Sequence, residues 1–412
     1  MKLKLTHSIL MYLNNANLLY LIIAIKDKRG IKIMIQSNTD IKQINRKNVL
    51  SYIYTQRSAT QKSIKDTLQL SRSTIVQILK EFEDQKLILR GEVLESTGGR
   101  PATSLRFNPN SKIAIGIELL AEHYEIIALN LYGETIKFEK FISPYENTES
   151  YYTLVCKSAQ LLIASVTNDP DRILGVGIVL QGLISTDGTQ ITYGKILDCT
   201  GLRIESFSHH LPYPCLFFHD AEAATADEMW QSSQLNNAIY IHIRSNMSGS
   251  IIVNRESLVG TELKSGVFEH MTIVPGGKPC YCGNRGCLDA YCSTNALFNK
   301  EETLESFFQM LRTGDINIKK RWLEYLHYLA LAINNLHMFM DCPVILGGTI
   351  AKYLQGSDIK LLHQFVQNNT AFPTEREFIK VTCCPDSPIS RGAALHFIKQ
   401  YLRSLLGNNV TF

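Results

Sequence analysis

The apolar positions divide the chain into a short helical front and a longer mixed region. One helix is predicted over residues 45–57, where apolar side chains recur on one face. The segment TQKSIKDTLQL predicts a second helix with Thr60 as its N-cap. A third helix is expected from Arg72 to about Asp84, after the turn Gln69–Ser71. Two helices of this length joined by a short turn are typical of a helix-turn-helix.

The segment after the third helix predicts a wing and an extended arm. The run LILRGEVLES is expected to form the short β-hairpin of a winged helix, and residues 97–101 are expected to form the arm. Gly99 and Arg100 would place an extended backbone and a guanidinium in a narrow, electronegative minor groove. The same string could serve as a plain interdomain linker, and its position after a winged helix favours both roles together.

From Ile113 onward, strand-like runs alternate with helical stretches. Apolar runs such as IAIGIEL, EIIALNL and ILGVGIVL are separated by helical segments such as 149–167, and a later helix is expected over about 320–339. This alternation predicts an α/β fold. Similar units recur in both halves of the region, which indicates a two-lobed, actin-like architecture with a cleft between the lobes.

Residues 1–40 are expected to be a leader or a disordered extension. The stretch from Ile9 to Ile25 is rich in apolar residues, but three asparagines between positions 14 and 17 interrupt it. It has no small-residue cleavage site and is too short and polar for a confident membrane span, so no membrane partner is expected. Met34 is the expected true start, and an N-terminal membrane anchor is the alternative.

The charge along the chain is uneven. Residues 42–106 contain 12 Lys and Arg against 6 Asp and Glu, although the whole chain has a formal net charge of only +4. A basic front module suggests contact with a polyanion. If the third helix enters the major groove of DNA, its early positions Arg72, Ser73, Thr74 and Gln77 would meet base edges and phosphates. A three-helix bundle that does not touch DNA is the alternative.

The segment EHMTIVPGGKPCYCGNRGCLDAYCS predicts a metal site. Cys280, Cys282 and Cys287 supply three thiolates on a glycine-rich turn, and His270 can complete a tetrahedral Cys3His set. Four protein ligands leave no open position, so a structural zinc ion is expected. A redox pair or unrelated core cysteines are the alternatives, and Cys292 is a less well-spaced competing ligand. The scattered cysteines are expected to be small buried residues in a reducing compartment.

With these motifs the sequence resembles the ROK family (repressors, open reading frames and sugar kinases), and within it the regulators that include xylose and N-acetylglucosamine repressors. The resemblance covers about residues 40–405. It implies two actin-like, RNase H-like α/β lobes after the winged helix, and a homodimer or homotetramer. The expected domains are the extension 1–40, the winged helix-turn-helix 41–97, a linker or minor-groove arm 98–110, a first lobe 111–235, a second lobe 236–388 with the zinc segment 270–287, and a C-terminal helix 389–412 that returns to the first lobe.

The resemblance also implies what a kinase of this family needs, and this chain departs from it. The first phosphate loop corresponds to residues 118–122, from which the glycines are gone. The second corresponds to residues 244–250, in which Gly249 alone is left. Asp220 matches the family's general base and is interpreted as vestigial. Phosphoryl transfer depends mostly on positioning and on stabilising phosphate charge, so the loss of both loops predicts that the protein is not an enzyme.

Sugar binding is a separate implication of the resemblance. Asp289 takes the place of a sugar-binding Glu with a shorter arm, and another such Glu corresponds to Val267. Asp220 could instead act only as a helix N-cap. The effector residues implied are Gln181, His219, Asp220, His270 and Asp289.

The sequence therefore predicts a cytoplasmic transcriptional regulator, a repressor of carbohydrate-utilisation genes. It would bind a double-stranded DNA operator, one structural Zn²⁺ per chain, and a sugar or sugar-phosphate effector in a catalytically inactive cleft. Three alternatives stay open: an ATP-dependent sugar kinase with a DNA-binding module, a regulator controlled by protein contact, and a cleft that binds another ligand or none.

Overall fold

The computed structural model describes residues 9–15, 18–27, 30–36, 38–94, 102–262, 264–299, 302–384 and 389–407. The chain forms two compact units. The first comprises Met1–Ser111 and Tyr401–Thr411, and the second comprises Lys112–Gln400. Among the described helices, none combines the length and apolarity that crossing a lipid bilayer requires.

Part of the N-terminal segment forms strands, which differs from a disordered extension and leaves the expectation of a leader as a prediction. Strands β1 (Ile9–Asn15), β2 (Leu18–Asp27) and β3 (Gly30–Gln36) pair as an antiparallel sheet in that order. Isoleucine-rich runs favour strands, and the Asn-rich and Lys-Arg-Gly breaks between them are typical turn sequences. Met34 lies inside β3 and pairs with Ile23, so a chain starting at Met34 would lack this sheet.

The predicted helices of the front module are present, and the first begins earlier than expected. They are α1 (Asn38–Gln56), α2 (Gln61–Leu68) and α3 (Arg72–Asp84). Thr60 caps α2 as predicted, because its hydroxyl accepts a hydrogen bond from the Ser63 N–H at 3.0 Å. The turn into α3 passes through Gln69 in the left-handed region with φ of 54°. Ile64 and four apolar residues of α3 are buried in the core of the module.

The wing extends further along the chain than the sequence indicated. Strand β4 (Ile88–Leu94) pairs antiparallel with β5 (Ala102–Phe107). The boundaries 41–97 and 98–110 are therefore wrong, since residues 102–107 are the second wing strand and the first unit continues to Ser111. The turn-forming residues around position 99 look like the end of the module, but the buried Leu105 and Phe107 return the chain to it.

The second unit contains two five-stranded sheets with the same pairing pattern. In the first, the order is β12-β9-β6-β7-β8, and in the second it is β15-β14-β13-β16-β17. In both sheets the chain-first strand pairs antiparallel with the next strand and parallel with a later one. This repetition is the two-lobed layout that the sequence predicted.

The remaining elements complete the two lobes. Those up to the end of the first sheet are β6 (Ile113–Leu119), β7 (His123–Asn130), β8 (Thr135–Ile142), α4 (Glu149–Val166), β9 (Ile173–Leu180), β10 (Leu183–Ile184), β11 (Ile191–Tyr193), α5 (Glu205–Ser208) and β12 (Cys215–His219). Those that follow are α6 (Asp220–Gln231), β13 (Ala238–Ile243), β14 (Met247–Val253), β15 (Glu256–Ser257), α7 (Asp289–Cys292), α8 (Thr294–Leu297), α9 (Leu304–Thr313), α10 (Ile316–Phe339), β16 (Val344–Gly347), α11 (Gly356–Asn369) and β17 (Ile379–Val381).

The C-terminal helix α12 (Ser390–Leu406) begins against the first sheet, as expected. A Cβ at Gly116 of β6 would lie 1.8 Å from the Ser390 carbonyl oxygen, so only glycine allows this approach. The end of the helix belongs to the first unit, which includes Tyr401–Thr411. There the Ser51 hydroxyl donates to the Leu406 carbonyl at 3.4 Å.

Candidate functional site

The start of α3 presents a polar surface in the first unit. Arg72, Ser73 and Gln77 are exposed, and Thr74 is half-buried. The hydroxyls of Ser73 and Thr74 lie 2.9 and 2.8 Å from that of Ser71, so both take part in the helix cap. The guanidinium of Arg72 and the amide of Gln77 are therefore the exposed groups of this set that are suited to contact phosphates and base edges.

Val76 lies on the same surface, although its place in the apolar run of the third helix predicts an inward position. Its side chain is 47% exposed, whereas Ile75, Ile78 and Leu79 on the same helix are buried. The helical period explains this exposure, because positions 75, 78, 79 and 82 follow the i, i+3, i+4, i+7 spacing of one face and position 76 lies outside it. A methyl-bearing side chain there could contact a thymine methyl group. Gly99 and Arg100 lie outside the described residues.

The predicted metal ligands come together in the second unit. Ligand atoms of His270, Cys280, Cys282 and Cys287 all lie within 4.8 Å of one another. The Cys282 and Cys287 sulfurs are 3.8 Å apart, and the Cys280 sulfur is 3.7 Å from Nδ1 of His270. A tetrahedral ion with metal–sulfur bonds of about 2.3 Å separates its thiolates by about 3.8 Å. The distances within this group are therefore compatible with a zinc ion held by the four residues.

The backbone around the cluster is bent by glycines. Gly286 has φ of 82° and lies so close to the Val274 carbonyl that a Cβ would be 1.8 Å from its oxygen. This turn brings Cys287 back beside Thr272, with which it forms an isolated β-bridge. Burial raises the pKa of Cys280 to about 12, so an ion would have to displace a thiol proton there.

A pocket of about 50 Å³ lies beside the cluster and contains four of the five predicted effector residues. It forms where β12 ends, α6 begins and the zinc segment passes. The pocket is lined by Gln181, His219, Asp220 and His270, together with Glu269, Lys195 and Tyr281.

Several buried polar atoms of this pocket are unsatisfied. Oδ2 of Asp220, Oε2 of Glu269 and Nε2 of Gln181 have no hydrogen-bond partner among the described residues. Asp220 is the first residue of α6, and the N-cap is His219, so the N-cap alternative for Asp220 is wrong. Burial opposes ionisation of Asp220, but His219 and Arg244 outweigh it and hold its pKa below the usual value. Burial raises the pKa of Glu269 well above the usual value.

Sequence reasoning missed Glu269, and it named Asp289, which is not among the residues that line this pocket. The sequence analysis considered Val267 and His270 but not Glu269, which lies between them. Its position next to a predicted metal ligand was the signal that could have identified it. Asp289 does not line the pocket. Its carboxylate accepts a hydrogen bond from the Met247 N–H at 2.7 Å, so the short side chain holds the start of β14 instead.

The other side of the interlobe cleft contains a buried ion pair. Glu118, at the end of β6 in the first lobe, lies 2.5 Å from Arg244, which follows β13 in the second lobe. Both side chains are largely buried. Burial raises the pKa of Glu118, and the Arg244 guanidinium opposes that shift. The two residues begin the stretches 118–122 and 244–250 that the sequence analysis matched to the phosphate loops, and their charges neutralise each other.

A cavity of about 360 Å³ surrounds this ion pair. Its lining also includes Lys140, Lys352 and His242. Both ring nitrogens of His242 lack a hydrogen-bond partner among the described residues. Burial lowers the pKa of His242 to about 3, so the ring is neutral over the physiological range.

Comparison with known proteins relates this chain to regulators and to kinases. The family model described as "ROK family" matches residues 114–388. A xylose repressor from Bacillus spizizenii is 24% identical over 326 residues, which cover 77% of this chain and 85% of that protein. The transcriptional dual regulator NagC of Escherichia coli is 23% identical over 261 residues, covering 62% of this chain and 64% of NagC.

Solved structures share the fold. A ROK family transcriptional regulator described as a homolog of the E. coli MLC protein superposes with a TM-score of 0.69 at 20% identity, covering 89% of this chain and 98% of that one. A ROK family glucokinase from Streptomyces griseus, in complex with glucose and AMPPNP, gives a TM-score of 0.59 at 18% identity, covering 68% and 98%. The two-lobed fold is thus common to members that carry nucleotide and to a member named as a regulator.

Proposed function

This chain belongs to the ROK family, and on that premise we propose that it is a sequence-specific transcriptional repressor of carbohydrate-utilisation genes. Its cleft binds a sugar or sugar-phosphate effector without phosphorylating it. The observation that carries the proposal is the Glu118–Arg244 pair, because it fills both phosphate-loop positions in a chain that also has a helix-turn-helix with a wing. The names of the xylose and N-acetylglucosamine repressors support the same reading.

DNA recognition is assigned to the exposed start of α3. Arg72 and Gln77 meet base edges or phosphates in the major groove, Ser73 and Thr74 support them at the helix start, and Val76 adds an apolar contact. Gly99 and Arg100, between the wing strands, are assigned to the minor groove. Two copies of the chain in a homodimer or homotetramer would present paired winged-helix modules to two half-sites on DNA. The effector changes the spacing of the two modules.

The assignment predicts a specific loss of DNA affinity. Arg72→Ala is expected to weaken operator binding by about 5- to 150-fold, the range for one good base or phosphate contact. Arg100→Ala should also weaken it. Lys80→Ala is the matched control, since Lys80 is an exposed cation further along the same helix. Fluorescence anisotropy measures the affinities, and equal affinities for all variants at moderate salt would contradict the groove contacts.

The zinc ion is assigned to His270, Cys280, Cys282 and Cys287 as a structural ion beside the effector pocket. When bound, the ion would cross-link the glycine-rich turn. Its four protein ligands would leave no open coordination position. Cys282→Ser is expected to lose one equivalent of zinc and thermal stability together. Elemental analysis of freshly purified protein checks the loss, and a variant that keeps its full metal content would refute this ligand set.

The decisive experiment measures anisotropy of the full chain on DNA upstream of its own gene, at two salt concentrations and with a panel of sugars. We expect tight, salt-sensitive binding that one sugar reverses. ATP-dependent formation of a sugar phosphate would instead favour the kinase alternative. Operator binding with no response to any sugar in anisotropy or thermal shift would favour control by protein contact. No binding beyond that to random DNA would refute the regulator proposal.

A further inference from the structure

A second group of metal-ligating side chains lies away from the His270 cluster. Ligand atoms of Glu228, Cys383 and Cys384 lie within 4.8 Å of one another. Glu228 comes from α6, and the two cysteines follow β17 of the second sheet. The proposed recognition of DNA and sugar uses none of these residues.

The geometry of this group suits a tetrahedral ion. The Cys383 and Cys384 sulfurs are 3.5 Å apart, close to the separation of about 3.8 Å between thiolates on one zinc ion. The Glu228 carboxylate is buried and fixed in place. The Thr382 hydroxyl and the Cys383 N–H donate hydrogen bonds to it, the latter at 3.3 and 3.2 Å to its two oxygens. A carboxylate that accepts these bonds keeps a lone pair for a cation.

We propose that Glu228, Cys383 and Cys384 form a second cation site, for a thiophilic divalent ion of the Zn²⁺ or Cd²⁺ class. Two thiolates and one carboxylate coordinate the ion, a water molecule completes the tetrahedron, and the two thiol protons pass to solvent. Soft sulfur ligands select such ions over Mg²⁺ and Ca²⁺. Cys383 is exposed, which gives the ion a path from solvent.

The site joins elements of the two lobes. Helix α6 follows β12 of the first sheet and begins at Asp220 in the effector pocket, eight residues before Glu228. Cys384 also lines the cavity that contains the Glu118–Arg244 pair. A bound ion therefore ties α6 to the second lobe. Its effect on DNA binding rests on the proposed function, whereas ion binding itself does not.

Cadmium titration of the full-length, reduced protein tests the site, because Cd²⁺–thiolate bonds absorb in the ultraviolet in proportion to the number of thiolates. The double variant C383S/C384S is expected to bind one ion fewer and to lose the absorbance of two thiolates. Glu228→Gln keeps an oxygen for the Thr382 and Cys383 donors, and should weaken binding at this site by at least about tenfold. Cys215→Ser is the matched control, since its half-buried thiol lies outside both clusters.

Zinc competition against a chromogenic chelator gives the affinities, and circular dichroism confirms that each variant is folded. An unchanged stoichiometry in C383S/C384S would overturn the proposal. An unchanged affinity in Glu228→Gln would also overturn it, because the thiols would then bind without the carboxylate. If the cadmium result holds while the anisotropy experiment finds no specific DNA binding, the regulator proposal fails and the ion site stands.

Discussion

The two sides of the interlobe cleft treat their buried charges in opposite ways. In the small pocket, carboxylate oxygens of Asp220 and Glu269 face the cavity with no hydrogen-bond partner among the described residues. In the larger cavity, the charge of Glu118 is neutralised by Arg244 at 2.5 Å. One side has carboxylate oxygens that a ligand can satisfy, and on the other side the carboxylate is already paired with a guanidinium.

This difference indicates where a ligand gains most by binding. An unsatisfied buried polar group costs about 1–3 kcal/mol, and a ligand hydroxyl that pairs with it recovers that free energy. A phosphate group entering the larger cavity would have to compete with Glu118 for Arg244. The small pocket is thus suited to a polyol such as a sugar, and the larger cavity is poorly suited to a nucleotide.

The largest expected effect concerns the ion pair. Arg244→Ala should lower the free energy of unfolding by about 3–5 kcal/mol, because Glu118 would be left buried without its partner. Replacing both residues, as in Glu118→Leu with Arg244→Met, should recover most of that loss. Urea unfolding followed by circular dichroism measures both. A double variant as unstable as Arg244→Ala would show that the cavity does not depend on charge pairing.

A smaller effect is expected in the effector pocket. Asp220→Asn should weaken effector binding by about 10- to 100-fold, since it removes a charged acceptor for a ligand hydroxyl. Glu269→Gln should weaken it less, because the raised pKa of Glu269 favours a neutral carboxyl group. The stability of the ligand-free protein should be unchanged or higher. Calorimetric titration with the sugar that reverses DNA binding measures the affinity, and Asp171→Asn, at an exposed position, is the control. Affinities equal to that of the control would remove these carboxylates from the pocket's function.

The smallest expected effect is a pH dependence from His242. Its folded pKa of about 3 lies below the value of 6.5 for an exposed histidine. Below pH 6.5 this histidine binds a proton in the unfolded chain but not in the folded chain. The free energy of unfolding therefore falls as the pH decreases towards 3. At pH 5 this costs about 2 kcal/mol, which His242→Gln should abolish. Unfolding curves at pH 8 and pH 5 test it, and an identical pH dependence in both proteins would contradict a neutral, buried ring.

Local signals predicted the fold well where neighbours in sequence determine the structure. Thr60 and Ser63 form the expected helix cap, and the zinc ligands meet because a short glycine-rich turn joins them. The second wing strand was missed because its pairing crosses a segment of turn residues. No local pattern links positions 228 and 383, so the second cation group could not be found by spacing. Glu118 and Arg244 lie in the two stretches that were matched to phosphate loops, but their contact spans 126 positions of sequence.

The ion pair also links the two lobes. Glu118 ends a strand of the first sheet, and Arg244 follows a strand of the second. Removing either residue alone would leave the other as a lone buried charge. Opening the cleft on this side would therefore separate two opposite charges, which makes the side that contains the larger cavity the stiffer of the two.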